Sequence, residues 1–153
     1  MRKPKIRPRC AERHVVLLDT CILSELRRPQ PDQRVRDAVT MFGDDKLCTS
    51  VLAIGELEKG ISLLPDSAKK RGLTTWLAGL ERQFTDRILP VDQETARIWG
   101  ALSARAQTQG TPLPVVDGLV AATALRHGLH VMTRNTRHFA STGAILIDPW
   151  SAS

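Results

Sequence analysis

The sequence predicts an α/β fold, with a mainly parallel central sheet covered by helices on both faces. Two observations carry this prediction. Short apolar segments alternate with longer stretches of helical periodicity, which calls for crossover connections and therefore parallel strands. The first apolar segment, Val15 to Leu18, is also unbroken and rich in Val and Leu, as in a strand buried on both faces. With 153 residues, 42% hydrophobic and 25% charged, the chain can bury one core and is too apolar for disorder.

The elements follow in order from local signals. Residues 15–18 form the first strand and run straight into Asp19. Ser24 to Arg28 make a short helical turn, stopped by Pro29 and Pro31. Asp32 caps a helix carrying Val35, Ala38, Val39 and Phe42 at helical spacing, with Gly43 past its end. Lys46 to Thr49 is a second strand. Ser50 caps a helix through Leu64, ended by Pro65. A helix from Asp66 to about Asp86 lines up Leu73, Leu77, Leu80 and Phe84. Arg87 to Pro90 has room only for a brief third strand. Asp92 caps a helix to about Gln109, with Ala96, Trp99, Leu102 and Ala106 directed inward, and Gly110 ends it. Pro112 and Pro114 lead into a very apolar helix, Val115 to Arg126, ended by Gly128. His130 to Thr133 and Ala144 to Ile147 are the last strands.

Charge separates the chain into two parts. Arg2, Lys3, Lys5, Arg7, Arg9 and Arg13 against Glu12 give residues 1–14 a charge of +5 out of a total of +6. Residues 1–13 are therefore expected to be a flexible basic arm, which either binds nucleic-acid phosphates or simply keeps the protein soluble. Residues 14–150 are expected to be a single domain, with no repeat or linker. Cys10, Cys21 and Cys48 are an odd count with no CxxC spacing, which suits reduced thiols in the cytoplasm better than a disulfide framework or a zinc site. The histidines form no cluster: His14 precedes the first strand, His127 and His130 straddle Gly128, and His138 is isolated. No apolar stretch is long enough to cross a membrane.

Three acids fall where ligands gather in a parallel sheet, beyond the carboxyl ends of the strands. Asp19 directly follows the first strand. Glu56 is the one charged residue between Cys48 and Leu57, so it is expected to be buried or to line a cleft. Asp117 opens the apolar helix. Each alone has a local explanation, as a helix cap or as half of an ion pair. Together they would repel one another unless a cation is present. Oxygen-only ligands suit Mg²⁺ or Mn²⁺. Such ions keep several waters and meet substrate phosphates.

At this point the residues carry a resemblance. LLDTCILSEL, TSVLAIGELEKGI, DGLVAATALRHGLHVMTRN and ILIDPW, in this order and at these separations, resemble a PIN-domain ribonuclease. The similarity, over about residues 14–150, is to VapC-type toxins of toxin–antitoxin systems and their FitB-like relatives. It implies a three-layer Rossmann-like sandwich with about five strands, a Mg²⁺ or Mn²⁺ site, and endoribonuclease activity on RNA. It also implies a cognate VapB-like antitoxin that binds operator DNA, and a homodimer or a toxin–antitoxin hetero-oligomer. The family's acids fall on Asp19, Glu56 and Asp117 as metal and catalytic residues. The fourth position, commonly acidic, is Asn135, read as an outer-sphere or water-holding ligand. Cys21 stands where Asn is common, leaving Thr20 and Ser24 as the hydroxyls orienting Asp19. His138 stands where an acid is often found.

Substrate contacts are expected from Thr20, Ser50, Thr133 and Arg134, with Arg137, Arg27 and Arg28 nearby. Three Trp, three Phe and no Tyr leave little scope for base stacking. The helix at 66–86, with Leu63, Leu64 and Trp76, carries an apolar surplus that could receive an amphipathic helix from another chain or a second copy of this one. Aspartate-based phosphoryl transfer is disfavoured, because Cys21 occupies the place of its second Asp. No phosphate-binding glycine loop follows the first strand. The remaining alternative is a PIN-like fold that binds RNA or protein without catalysis, which Asn135 favours and the intact acid trio opposes.

Overall fold

A computed structural model describes residues 14–151. The basic arm expected over residues 1–13 lies outside the described residues. Five parallel strands, β1 (Val16–Leu18), β2 (Leu47–Ser50), β3 (Ile88–Leu89), β4 (His130–Met132) and β5 (Leu146–Ile147), form one sheet in the order β3-β2-β1-β4-β5. Helices α1 (Thr20–Leu26), α2 (Gln33–Met41), α3 (Val51–Ser62), α4 (Ala68–Gln83), α5 (Gln93–Thr108), α6 (Val115–His127) and α7 (Thr136–Phe139) connect them.

Central β1 is fully buried, as its unbroken apolar run requires. Its side chains alternate between the two faces of the sheet. Val16 and Leu18 join a core with Ile22, Val35, Leu57, Ile61, Leu77 and Leu80 from α1 to α4. Leu17 points the other way, into a core with Leu102, Val120, Ala121 and Phe139 from α5 to α7. Val16 pairs with both Leu47 and His130. The chain builds outward from β1 to β2 and β3, then crosses to place β4 on β1's other side. That reversal opens a crevice at the carboxyl ends of β1 and β4.

Capping residues set the helix starts. Asp32 accepts from the N–H of Arg34, Ser50 from Ala53 and Asp92 from Thr95, each bond contributing about 1 kcal/mol. Several boundaries differ from the sequence expectation. Helix α1 starts at Thr20, not at Ser24, because Asp19 in an extended conformation caps it directly. Helix α4 starts after Ser67, whose hydroxyl caps it. A 3₁₀ turn at Asp44–Lys46 and the short α7 were not expected. Ala96 is exposed, whereas Thr95 is buried. The Thr95 hydroxyl donates to Asp92 Oδ1 at 2.8 Å, a partner that lets it be buried. Helices α5 and α6 pack along each other, joined by the Arg126–Glu94 ion pair at 3.1 Å. Gly128 ends α6 in the left-handed conformation, φ 66°, which a residue with a Cβ adopts only with strain.

Candidate active site

Asp19 sits at the crevice because it is the first residue past β1. Its N–H donates to Met132 O at 3.0 Å, extending the sheet by one bond. Its Oδ1 accepts from the N–H of Thr20 at 2.9 Å, and its Oδ2 from the hydroxyl of Thr133 at 2.8 Å. Thr133 follows β4, so this bond crosses the crevice. Cys21 Sγ accepts from the N–H of Arg134 at 3.4 Å and lies 3.9 Å from Asp19 Oδ2. Burial raises the Asp19 pKa above its ordinary 3.8; the Thr133 and Thr20 bonds work against this rise, and the nearby charge of Asp117 adds to it. Cys21 is likewise raised, chiefly by burial, and stays a neutral thiol.

Glu56 projects from the second turn of α3. The hydroxyl of Thr20 donates to its Oε1 at 2.8 Å. Desolvation raises the carboxyl, the Thr20 bond lowers it, and the charges of Asp19 and Asp117 raise it again. The residue is not buried; it lines a groove of about 240 Å³ together with Thr20, Ser24, Arg27, Lys69 and Trp76. Of the two surroundings expected for Glu56, the cleft is the one present.

Asp117 lies in the first turn of α6. The next residue, Gly118, is pressed so closely against α5 that an added Cβ would stand 3.0 Å from Trp99 Cδ1 and 3.0 Å from Leu113 Cδ2. His138 Nδ1 lies 2.8 Å from Asp117 Oδ2. His138, expected to be isolated, is therefore the partner of a candidate metal ligand. Nothing in its spacing signals this, because the contact depends on α7 folding back beside α6.

Asp19 feels the charge of Asp117, and Glu56 feels those of Asp19 and Asp117; among the described residues neither Asp19 nor Glu56 forms a salt bridge. The three acids do not form a closed cage: among the described residues, no three His, Cys, Asp or Glu side chains are grouped closely enough to hold an ion. The donor set nonetheless suits a hard divalent cation. Mg²⁺ keeps several waters and needs only one or two carboxylates, so a preformed shell is not required.

The other expected site residues divide into two groups. Ser50 and Thr133 are 2% and 0% exposed, and their hydroxyls are occupied. Ser50 caps α3, and Thr133 holds Asp19. Both hydroxyls are turned into the protein, which leaves less of each side chain for the substrate contact expected of them than at the exposed Arg134. Thr133, not Thr20 or Ser24, supplies the hydroxyl that orients Asp19. Thr20 uses its N–H there and gives its hydroxyl to Glu56. Arg134 and Asn135 are exposed. The Arg134 guanidinium stacks over Trp150, 5.0 Å from the ring centroid, and Asn135 does not cap α7 with its side chain. Among the described residues Cys21 and Cys48 are free thiols, and no helix is long and apolar enough to cross a membrane.

Known proteins share this fold. The PIN domain family matches residues 16–145. Toxin FitB of Neisseria gonorrhoeae is 35% identical over 137 residues, covering 89% of this chain and 99% of the relative. VapC ribonuclease Y4jK of Sinorhizobium fredii is 32% identical, covering 89% of this chain and 98% of the relative. A solved structure of FitAB bound to an IR36 DNA fragment superimposes with a TM-score of 0.84 at 32% identity, covering 90% of this chain and 97% of the other. With its sheet order and these similarities, the chain belongs to the PIN-domain family.

Proposed function

We propose that this protein is a divalent-metal-dependent endoribonuclease that serves as the toxin of a toxin–antitoxin pair. One observation carries the chemistry: the charge of Asp117 bears on both Asp19 and Glu56, and that of Asp19 on Glu56, with no basic side chain paired to Asp19 or Glu56 among the described residues. A hard cation, Mg²⁺ or Mn²⁺, is the partner that relieves this repulsion. Asp19 and Asp117 would hold it, with Glu56 facing the same space. When bound, the ion supplies a water of lowered pKa and neutralises charge at the scissile phosphate.

The chain's own residues do the positioning. Thr133 and Thr20 fix both oxygens of Asp19, and Thr20 also fixes Glu56. Asn135 offers an uncharged exposed amide beside Thr133, suited to holding a water. Arg27 and Lys69 line the groove that contains Glu56 and would meet backbone phosphates.

The same groove suits a partner. Leu57, Ile61, Leu64, Leu73 and Trp76 line it between α3 and α4, a shape that takes the apolar face of an amphipathic helix. The similarity to FitB, named a toxin, and to FitAB, solved on DNA, supports an antitoxin as that partner, in a hetero-oligomer whose DNA contacts come from the antitoxin. The cytoplasm, where RNA and antitoxin meet, is the matching compartment. Asn135 in place of an acid favours a second reading, a PIN fold that binds RNA without cutting it.

Purified protein incubated with total RNA decides between them. New RNA ends that appear with Mg²⁺ or Mn²⁺, vanish with chelator and vanish in Asp19→Asn support the enzyme. Binding without new ends supports the second reading.

A further inference from the structure

We infer that His138 is a positioning residue for Asp117, so that the short segment after β4 grips two of the three site acids. This rests on the metal-dependent reading above. Thr133, at the start of the segment, donates to Asp19 at 2.8 Å. His138, five positions on, meets Asp117 Oδ2 through Nδ1 at 2.8 Å. The segment between them is itself held. The N–H of Asn135 donates to Thr133 Oγ1 at 3.1 Å, the N–H of His138 donates to Asn135 O at 3.0 Å, and Phe139 is wholly buried.

The chemistry specifies which ring nitrogen matters. An ionised carboxylate only accepts, so Nδ1 carries the proton and donates it to Oδ2. That bond uses one oxygen of Asp117, stops rotation of the carboxylate and leaves Oδ1 for a cation. His138 remains half exposed while Asp117 is one-fifth exposed, so the imidazole covers the acid from the solvent side. Partners of this kind around a ligating carboxylate are typically worth about 10- to 100-fold in metal affinity or activity.

The experiment titrates Mn²⁺ into the intact protein, followed by calorimetry and by the shift in unfolding midpoint, alongside RNA cleavage. The variants are His138→Ala, His138→Asn and His138→Gln. The Asn amide nitrogen falls where Nδ1 lies; the Gln amide nitrogen falls near Nε2. His138→Ala and His138→Gln are expected to weaken Mn²⁺ binding by about 10-fold or more, with the metal-free unfolding midpoint unchanged. His138→Asn is expected to bind close to the parent. Parental Mn²⁺ affinity in His138→Ala overturns the inference, and so does rescue by Gln but not by Asn. A parent protein that shows no Mn²⁺ response at all overturns the metal-dependent reading itself, and this inference with it.

Discussion

The hydroxyl of Thr20 donates to Oε1 of Glu56 at 2.8 Å, joining the start of α1 to α3 across 36 positions. The same residue's N–H donates to Asp19, so Thr20 sets the relative placement of two acids that repel. Thr20→Val keeps the size and β-branching but removes the donor. It is expected to lower metal-dependent cleavage by about 10-fold without changing the circular dichroism spectrum, and Thr20→Ser should restore most of the rate. Equal rates for Thr20→Val and the parent would assign the contact to packing alone.

Asp19→Asn should lose RNA cleavage yet stabilise the metal-free protein near neutral pH. The sign follows from burial, which raises the folded-state pKa of Asp19 above 3.8. Between the unfolded and folded values the native state binds the extra proton, so its stability falls as pH rises through that window. Asn carries no charge and escapes this loss. Thr133 can reverse its hydroxyl to accept from the new amide. Urea unfolding at pH 7 should therefore favour Asp19→Asn. The gap should close below pH 3.8, where both side chains are neutral. A less stable variant at pH 7 would mean that the lost hydrogen bonds outweigh the desolvated charge.

Gly118→Ala tests how closely α6 must approach α5. The new Cβ would stand 3.0 Å from Leu113 Cδ2 and 3.0 Å from Trp99 Cδ1, closer than carbon atoms normally pack. Alanine gains about 0.5–1 kcal/mol of helix propensity, against an overpacking cost of about 1–3 kcal/mol. A net loss of about 1 kcal/mol is expected, together with reduced cleavage because Asp117 moves with the helix. Chemical denaturation and single-turnover cleavage report the two effects separately.

The groove between α3 and α4 makes its own prediction. Leu64 and Trp76 are only partly buried, so Leu64→Glu should leave the fold intact while placing a charge among apolar neighbours. Coexpressed antitoxin is expected to copurify with the parent and not with Leu64→Glu. The cleavage that the variant retains should resist inhibition by the antitoxin. Normal copurification would move the antitoxin to another face.

Cys48 and Cys21 should differ in reactivity from an ordinary surface thiol. Burial pushes Cys48 up to about 12, so in the native protein it should react with thiol reagents only on unfolding, a rate readable by mass spectrometry.

Much of this architecture is legible locally. Asp32, Ser50 and Asp92 are caps because each bonds an N–H two or three residues on, a relation that short spacing reveals. Val16 to Leu18 read as a doubly buried strand because no polar residue interrupts them. Apolar spacing alone directs Ala96 inward, whereas the structure buries Thr95, a polar side chain whose hydroxyl is satisfied by Asp92. The sequence allows Asp19 as a helix cap yet places the helical turn at Ser24; the structure starts α1 at Thr20, directly on that cap.

Alternating strands and helices, one buried central strand, and acids directly after β1 and in the early turns of α3 and α6 followed from the sequence by itself, since capping and hydrophobic periodicity act over a few residues. Only the tertiary structure decided which groups hold those acids. Thr133 reaches Asp19 across 114 positions and His138 reaches Asp117 across 21. Both contacts exist because β4 pairs beside β1 and α7 folds against α6, and hydrogen bonds set by strand order and helix packing leave no periodic trace along the chain.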